Sequence, residues 1–378
     1  MVMGKRDGLL IAGGGLAGSL AAIAMAKVRP EVPILLVEET DRFGGEHISS
    51  FFDAEIDEAQ RWLIDPLVMH RWPGYYVAFP EQSRKLKADI SSFASERLDK
   101  AVRAALKPDQ YRLNTKVVAV RDNELVLPGG EKIRADGAID ARGAANLSTL
   151  DLGWRKFVAR EYRFPRPHRV DLPVLADATV DQLEGYHFVH CLPLSDDRLL
   201  VEDNYYSDSA EIDLPTVGAR LDAYLLKRGW KDGTIEHEQA GALPIALGDD
   251  VQPLWRSGGA RVARLGTRGG FFNPVTGHAI ADAVRTALLL TEQRDFDGAV
   301  LHDLFEAEVG QMWRKREFFR SFNSLLFQTP AWDRHKMLAN FYRLDQPLIA
   351  RFHAGQLGVL DRMHIQSGVS FKAARPTR

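Results

Sequence analysis

The sequence predicts an α/β protein with a parallel sheet at its start, an inserted mixed β region and a helical C-terminal part. Three observations predict this class. A glycine-rich turn joins an apolar run to a helical run near the start of the chain. An acid follows at the end of a second apolar run. The middle of the chain is then rich in strand patterns and its end is rich in helical patterns, as expected for a nucleotide-binding fold with a long insertion.

The glycine-rich turn lies in residues 8–18, which read Gly-Leu-Leu-Ile-Ala-Gly-Gly-Gly-Leu-Ala-Gly. Residues 8–12 predict a buried strand, residues 16–28 a helix and residues 34–37 the next strand. In the Rossmann-type dinucleotide fingerprint, the first glycine makes a tight turn and the second admits a pyrophosphate. The third packs helix on strand, and an acid about 20 residues later takes the ribose hydroxyls. The predicted cofactor-binding residues of this segment are Gly13, Gly15, Leu16, Ala17, Gly18 and Glu38.

A targeting segment is the competing interpretation of the same stretch. Residues 9–26 carry no charge and follow Lys5 and Arg6, which is compatible with a signal peptide or a short membrane span. However, the run consists mostly of glycine and alanine. A signal sequence also gives no reason for the glycine register or for Glu38, so the fingerprint is favoured.

Composition limits the classes of function. The chain has 378 residues, an apolar fraction of 45% and a net charge of −2 with both signs mixed throughout, so nothing favours nucleic acid as a partner. Cys191 is the single cysteine, which excludes a disulfide framework and fits a reducing cytoplasm. The eleven histidines show no metal-ligand spacing, and we predict no metal site.

Further elements follow in an order that explains the fold class. They are a helix at 91–106, a hairpin of 116–120 and 124–127, a strand at 137–140, paired strands at 186–192 and 198–203, a helix at 214–228, a strand at 258–265, a helix at 276–293 and mostly helix after 297. The chain from Ser367 onward holds basic residues and little apolar matter, and we expect it to be disordered.

A long insertion into a Rossmann scaffold favours FAD over NAD, because a compact nicotinamide domain ends by about 150 residues. We therefore predict a discontinuous FAD-binding domain, a substrate and catalytic insertion domain, and a helical C-terminal region. Their bounds are 1–85, 112–165 and 255–298 for the first (with the helix 91–106 packed on it), 166–254 for the second and 299–378 for the third.

Several motifs resemble those of the bacterial lycopene β-cyclases of carotenoid synthesis. They are Phe43-Gly44-Gly45-Glu46-His47, the stretch from Asp177 through Gly185-Tyr186-His187-Phe188-Val189 to Leu199-Leu200-Val201-Glu202-Asp203, Gly241-Ala242-Leu243-Pro244-Ile245, Gly269-Gly270-Phe271-Phe272-Asn273-Pro274-Val275-Thr276-Gly277 and Pro347-Leu348-Ile349-Ala350-Arg351-Phe352. The resemblance covers nearly the whole chain, and the combination is more specific than any single motif.

The resemblance implies an enzyme that works with reduced FAD, with NAD(P)H as the electron source, yet performs no net redox reaction. It implies that the ψ end groups of lycopene, drawn from a membrane, become β-ionone rings. The catalytic residues it implies are Glu202, as the acid, and Asp203, and the late flavin segment contributes Gly270, Pro274 and Gly277. Asn204 departs from the threonine expected after the acidic pair. A cytoplasmic enzyme, peripheral on the inner face of the cell membrane and near other carotenoid enzymes, would fit.

The residues themselves suggest an acid. Burial in apolar surroundings raises the pKa of a carboxyl, which lets it donate a proton at neutral pH. Glu202 and Asp203 end an apolar strand, where the alternation of side chains places them on opposite faces of the sheet. The alternative interpretation is that both are solvent-exposed carboxylates without a catalytic role.

Aromatic faces stabilise a cation. The candidate aromatics are Tyr186, Phe188, Tyr205, Tyr206, Phe271 and Phe272, with Phe271 and Phe272 preferred, and His47 and His190 are candidate bases.

Other interpretations stay open. Arg314, Lys315, Arg316 and Arg320 interleave with aromatic residues, which fits either a membrane-surface helix or a helix packed on the core. A flavin monooxygenase or isoprenoid reductase on the same scaffold is the alternative function, although the Gly-Asp typical of hydroxylases is missing at residues 266–269. A bare flavin-binding or membrane-docking module is the non-enzymatic alternative.

Overall fold

The computed structural model describes residues 2–5, 8–45, 47–257 and 261–369. Glu46 of the first resembling motif, residues 258–260 of a predicted strand and the tail from Ser370 lie outside the described residues.

The strands and helices follow the chain in this order. The strands are β1 Val2–Lys5, β2 Leu9–Ala12, β3 Ile34–Val37, β4 Ile48–Phe52, β5 His70–Trp72, β6 Tyr75–Phe79, β7 Gln82–Leu86, β8 Ile90–Ala94, β9 Tyr111–Arg112, β10 Ala119–Val120, β11 Glu124–Val126, β12 Lys132–Arg134, β13 Gly137–Asp140, β14 Leu152–Arg163, β15 Val174–Asp177, β16 Tyr186–Pro193, β17 Arg198–Ser207, β18 Thr234–Ala246 and β19 Ala263–Arg264. The helices are α1 Leu16–Val28, α2 Ser95–Ala105, α3 Leu214–Arg228, α4 Gln252–Arg256, α5 Ile280–Thr291, α6 Gly298–Lys315, α7 Glu317–Gln328, α8 Arg334–Phe341, α9 Gln346–His353 and α10 Val359–Val369.

A parallel sheet forms the first part of the fold, with the strand order β19-β13-β2-β3-β9. Leu9 and Ile11 of β2 face a core shared with α1 and α5, and Leu10 faces a second core against the sheet of β1 and β10 to β12. Burial on both faces explains why β2 and β3 are continuous apolar runs. The predicted Rossmann-type fold is confirmed.

A large mixed sheet forms the second part, in the order β18-β14-β17-β16-β15-β6-β7. One face packs against α3, and the other packs against α7, α8 and α9. The predicted pairing of β16 with β17, the hairpin of β10 with β11 and the bounds of α3 are confirmed. Strands β6, β7 and β14 also join this sheet, although they lie in the chain segments assigned to the FAD-binding domain. The division into three domains stays a prediction.

Three element predictions were wrong in their bounds. Residues 90–94 form β8 rather than the first turn of a helix, because this segment pairs with β4 and β5. The side chains of Ile90 and Phe93 are both buried. The late helix begins at Ile280, because residues 273–278 form a loop closed by the bond from the amide of Gly277 to the carbonyl of Asn273. The late strand is limited to β19 among the described residues.

The C-terminal part is helical, as predicted. Helix α10 continues through Ser367 to Val369, so the expected disorder from Ser367 is wrong for those residues. None of the helices in the described part of the chain combines the length and the apolar character needed to cross a bilayer.

Candidate active site

A cleft of about 420 Å³ opens at the carboxyl ends of β2 and β3; we call it the nucleotide cleft. It is lined by Gly13, Gly15, Leu16, Ala17, Glu38, Thr40, Arg142, Gly266 and Thr267, among others. Glu38 accepts a hydrogen bond from the amide of Gly14 at 2.7 Å and a second one from the amide of Thr40. The strand, the turn and the acid of the fingerprint therefore meet at one place, at the N-terminus of α1.

The three fingerprint glycines differ in what surrounds them. Gly13 has φ +99°, and a Cβ there would lie 2.6 Å from the backbone of Ala141. A Cβ on Gly18 would lie 2.0 Å from the carbonyl oxygen of Gly13, so this glycine allows α1 to approach β2. A Cβ on Gly15 would meet nothing within 4 Å. The space above Gly15, beside the amides that begin α1, fits a pyrophosphate.

A second cavity, which we call the acid chamber, adjoins the cleft and has a volume of about 190 Å³. Leu16, His47, Thr267 and Ala279 line both spaces. The polar side chains of the acid chamber are those of His47, Ser49, Ser50, Arg155, His190, Glu202, Gln239, Thr267 and His278. The predicted acid, Glu202, therefore faces the space next to the nucleotide cleft.

Glu202 is held by Arg155, whose Nη2 donates to its Oε1 at 2.8 Å. The other two nitrogens of the Arg155 guanidinium donate to Asn204 Oδ1 at 2.9 Å and to His278 Nε2 at 3.0 Å. Arginine stays protonated, so Nε2 of His278 is an acceptor here. Asn204, which departs from the expected threonine, serves as a partner of Arg155. The site thus presents one carboxyl group whose Oε1 is fixed by one guanidinium, and both side chains are buried.

Asp203 lies on the opposite face of β17, as strand alternation predicts. Its Oδ1 is 2.9 Å from Nε2 of His187, whose Nδ1 lies 2.6 Å from the carbonyl oxygen of Asp181. The ring of His187 stacks on Tyr205 at 4.9 Å between centroids. The geometry gives Asp203 a place in the core beneath α3, and it is not among the described residues that line the acid chamber.

The aromatic cavity, of about 110 Å³, adjoins the acid chamber. Ser50, Arg155, His190 and His278 line both spaces. Its aromatic walls come from Phe51, Phe52, Tyr186, Phe188, Tyr206, Phe322, Phe341, Tyr342 and Phe352. Tyr186, Phe188 and Tyr206 therefore lie where a cation-stabilising wall is expected, whereas Tyr205 faces α3.

Phe271 and Phe272 were wrongly preferred as cavity residues. Both are buried in the core, where Phe271 contacts Phe305 and Phe272 contacts Trp313 edge to face. The physical reason is the turn at Gly270, which has a φ of +82° and whose carbonyl accepts a hydrogen bond from Trp313 Nε1. This turn directs the residues that follow it under α6.

The three residues of the late flavin segment have different surroundings. Gly277 lines the acid chamber. Pro274 lines an outer cavity that is bounded by α5, α6 and α9, and Gly270 packs against α4 and α6. The described residues of the late segment that line the nucleotide cleft are Leu265, Gly266, Thr267 and Ala279. The role of Gly270 and Pro274 in flavin binding stays a prediction.

Sequence reasoning missed Arg155, His278 and Glu55. Glu55 lines both the aromatic cavity and the outer cavity, and its Oε1 accepts a hydrogen bond from the amide of Phe52 at 3.1 Å. Burial raises the pKa of Glu55 to about 7, with a smaller contribution from the nearby Asp282 carboxylate. Glu55 follows a short strand with no local motif, so nothing in the sequence singles it out.

The basic and aromatic segment near residue 316 packs on the core. Arg316 donates two hydrogen bonds of 2.7 Å to the Asp282 carboxylate, and Arg320 donates to the carbonyl of Trp313. Phe318, Phe319 and Phe322 are buried. Of the two interpretations left open, the structure supports the core-packed helix.

Known proteins match this chain over nearly its full length. A family model described as lycopene cyclase protein matches residues 8–377. A lycopene beta-cyclase of Pantoea ananas is 37% identical over 361 residues, which cover 95% of this chain and 94% of that protein. A lycopene beta-cyclase of Paracoccus sp. (strain N81106 / MBIC 01143) is 33% identical, covering 95% of this chain and 93% of that protein.

Solved structures with the same fold are more distant in sequence. A geranylgeranyl bacteriochlorophyll reductase-like protein from Thermoplasma acidophilum has a TM-score of 0.67 at 13% identity, covering 96% of each chain. The flavin-dependent brominase Bmp2 has a TM-score of 0.59 at 16% identity, covering 97% of this chain and 98% of the other. The fold is therefore one used by flavin-dependent enzymes.

Proposed function

This chain belongs to the lycopene cyclase family, and we propose from that membership and from the site that it is a lycopene β-cyclase. The reaction is a redox-neutral cyclisation of the ψ end groups of lycopene, which gives β-carotene by way of γ-carotene. The observation that carries the proposal is the position of Glu202 in the acid chamber, between the nucleotide cleft and the aromatic cavity. A proton donor, a cofactor site and an apolar substrate site thus adjoin one another.

Glu202 is the proposed proton donor. Transfer of its proton to C2 of the end group leaves a tertiary cation at C1, which the 5,6 double bond attacks to close the ring. Loss of the proton from C6 then forms the β ring. Arg155 stabilises the carboxylate that remains after the transfer, and this favours donation because the interaction strengthens as charge develops. Phe188 and Tyr206 offer aromatic faces to the cation.

FAD is the proposed cofactor. Three observations support it: the open space above Gly15, the anion-binding N-terminus of α1 and the position of Glu38. When bound and reduced, FAD supplies negative charge that stabilises a nearby cation without giving up hydride. NAD(P)H is the proposed electron source for the flavin and is not consumed with each ring.

Lycopene is a hydrocarbon, so we propose that the enzyme takes it from a bilayer as a peripheral protein on the cytoplasmic face of the membrane. An apolar patch on α10 supports this. Val359, Leu360 and Met363 share one helix face and are 73%, 80% and 61% exposed. Helix α10 packs on α8, whose Leu338 and Phe341 line the aromatic cavity. Neighbouring enzymes of the carotenoid pathway are the proposed partners at that membrane.

Anaerobic turnover in deuterated water tests the proposed function. The purified protein receives lycopene and FAD that is reduced once with dithionite. Each ring should gain one solvent deuteron at C2, and many rings should form per flavin. Stoichiometric oxidation of nicotinamide, or a product heavier by two hydrogens or by one oxygen in ordinary water, would instead indicate the isoprenoid reductase or the monooxygenase.

A further inference from the structure

His190 lies directly opposite Glu202 in the sheet. The register of β16 and β17 pairs the two residues, so their side chains leave the sheet on the same face. Both side chains line the acid chamber, and His190 also lines the aromatic cavity. The imidazole therefore lies at the junction of the two spaces, next to the proposed acid.

The imidazole of His190 is neutral and has a free ring nitrogen. Its Nε2 is buried and makes no hydrogen bond to any described residue. Burial lowers the pKa of His190 to about 4, against the opposing effect of the Glu202 carboxylate and with a further decrease from the Arg155 guanidinium. At neutral pH one nitrogen of this ring carries no proton, so the ring can accept one.

The other two imidazoles of the acid chamber differ from His190 in their hydrogen bonds or in the cavities that they line. His278 uses Nε2 to accept from Arg155, which leaves its proton on Nδ1, and a protonated nitrogen is not a base. Nδ1 of His47 donates to Oε1 of Gln239 at 3.1 Å, so Nε2 of His47 carries no proton. However, His47 lines the acid chamber and the nucleotide cleft and is not among the described residues that line the aromatic cavity. Glu202 itself is bound by Arg155. Among the described histidines of the chamber, His190 is the one that also lines the aromatic cavity and has a buried ring nitrogen without a hydrogen bond.

We propose that His190 is the base that removes the C6 proton in the last step of ring formation; this rests on the proposed function. The C6–H bond breaks, and its electron pair forms the ring double bond to C5, which cancels the positive charge there. The proton moves to the unprotonated nitrogen of the imidazole, and the imidazolium then returns a proton to the Glu202 carboxylate, which lines the same chamber. Both residues return to their starting states, and no oxidant or reductant is needed.

A base fixed at this point also determines which ring forms. Loss of the C6 proton gives a β ring, whereas loss of a C4 proton from the same cation gives an ε ring. The cation is a strong acid, so even a weak base removes a proton from it. The position of the base, rather than its strength, therefore selects the proton. A histidine that only shapes the cavity wall has no reason to change the isotope effect of the deprotonation step.

The variant His190→Gln tests this role, because it keeps a polar side chain of similar length without a basic nitrogen. His302→Gln is the matched control, because His302 is a buried histidine on α6, remote from the chamber. The measurements are the ratio of β to ε rings, the ring-forming rate of the FAD-loaded enzyme and the isotope effect with lycopene deuterated at C6. His190→Asn is measured in parallel, in case the glutamine variant does not fold.

We expect both His190 variants to lose rate by at least about tenfold, to form ε rings and to show an increased isotope effect, since deprotonation becomes the slow step. His302→Gln should keep the wild-type ratio. A folded His190 variant with wild-type ring ratio and isotope effect would overturn the assignment, even if its rate were lower. Absence of ring formation in the wild-type enzyme would instead contradict the proposed function.

Discussion

At the residue scale, the geometry of the site depends on the three hydrogen-bond partners of the Arg155 guanidinium. The guanidinium binds Glu202 and Asn204 on β17 and His278 on the loop before α5. A hydrogen bond to a charged group contributes about 1.5–3 kcal/mol. The bonds to Asn204 and His278 therefore fix the guanidinium, and the third bond fixes the carboxyl group of Glu202 against it. Because the proposed reaction requires a proton to be delivered to one carbon atom, this fixation is part of catalysis.

The variant Glu202→Gln should lose ring-forming activity by at least about 10²-fold, because it keeps the shape of the side chain and removes the acid. Flavin content and the thermal midpoint of unfolding should stay near the wild-type values. Glu211→Gln, at an exposed position before α3, is the control and should retain full activity. Near-normal cyclisation by Glu202→Gln would move the donor role to another group.

The variant Gly15→Val should fold and purify without flavin. The backbone of Gly15, with φ −65° and ψ −170°, accommodates any residue, and its Cβ position is open. The new side chain would therefore occupy the proposed pyrophosphate space instead of straining the fold. Absorbance of the bound flavin measures the loss, and Gly310→Ala on α6 is the control. A fully loaded yellow Gly15→Val protein would contradict this placement.

At the element scale, the sequence predicts elements whose partners are adjacent in the chain. Helix α1, helix α3 and the hairpin of β10 with β11 follow from local patterns. Strand β8 does not, because its partner β4 lies about 40 residues earlier and its apolar residues also fit a helix. The same limit applies to the site, since Arg155 meets Glu202 only through the pairing of β14 with β17.

The exposed face of α10 gives an element-scale prediction. Leu360→Asp combined with Met363→Asp should abolish binding to vesicles that contain anionic lipid, because charged side chains resist insertion into the apolar interface. Cyclisation of lycopene dissolved in detergent should be unchanged, whereas cyclisation of vesicle-embedded lycopene should fall. Leu226→Asp on α3, at a position that is 68% exposed, is the control. Vesicle binding equal to that of the wild type would exclude this face as the membrane contact.

At the scale of the whole molecule, the three cavities form a series in which neighbouring cavities share lining residues. The nucleotide cleft belongs to the parallel sheet, the aromatic cavity lies between the mixed sheet and the C-terminal helices, and the acid chamber joins them. The cofactor site could be predicted because its residues are close in sequence. The walls of the aromatic cavity could not, because Phe341 and Phe352 meet Tyr186 and Phe188 only after α8 and α9 pack on the mixed sheet.

The titratable groups that line these cavities predict how stability depends on pH. Burial lowers the pKa values of His190, His278 and His353 from 6.5 to about 4, 3 and 4. The unfolded chain therefore binds more protons than the folded protein below pH 6.5, and the folded state loses stability as the pH falls towards 4.5. Glu55 acts in the opposite direction: its raised pKa of about 7 stabilises the folded state at low pH, and this contribution is lost as the pH rises from 4.5 to 7.

The three histidines destabilise the folded state as the pH falls, and only Glu55 among these groups has the opposite effect. The free energy of unfolding should therefore decrease as the pH falls from 6.5 to 4.5. Urea unfolding of the FAD-loaded enzyme at several pH values within this range measures it. Glu55→Gln should make the decrease steeper, since it removes the opposing group, and His353→Gln should make it shallower. His364→Gln, at an exposed position of α10, should leave the slope unchanged. A protein more stable at pH 4.5 than at pH 6.5 would contradict the expected predominance of the three histidines over Glu55.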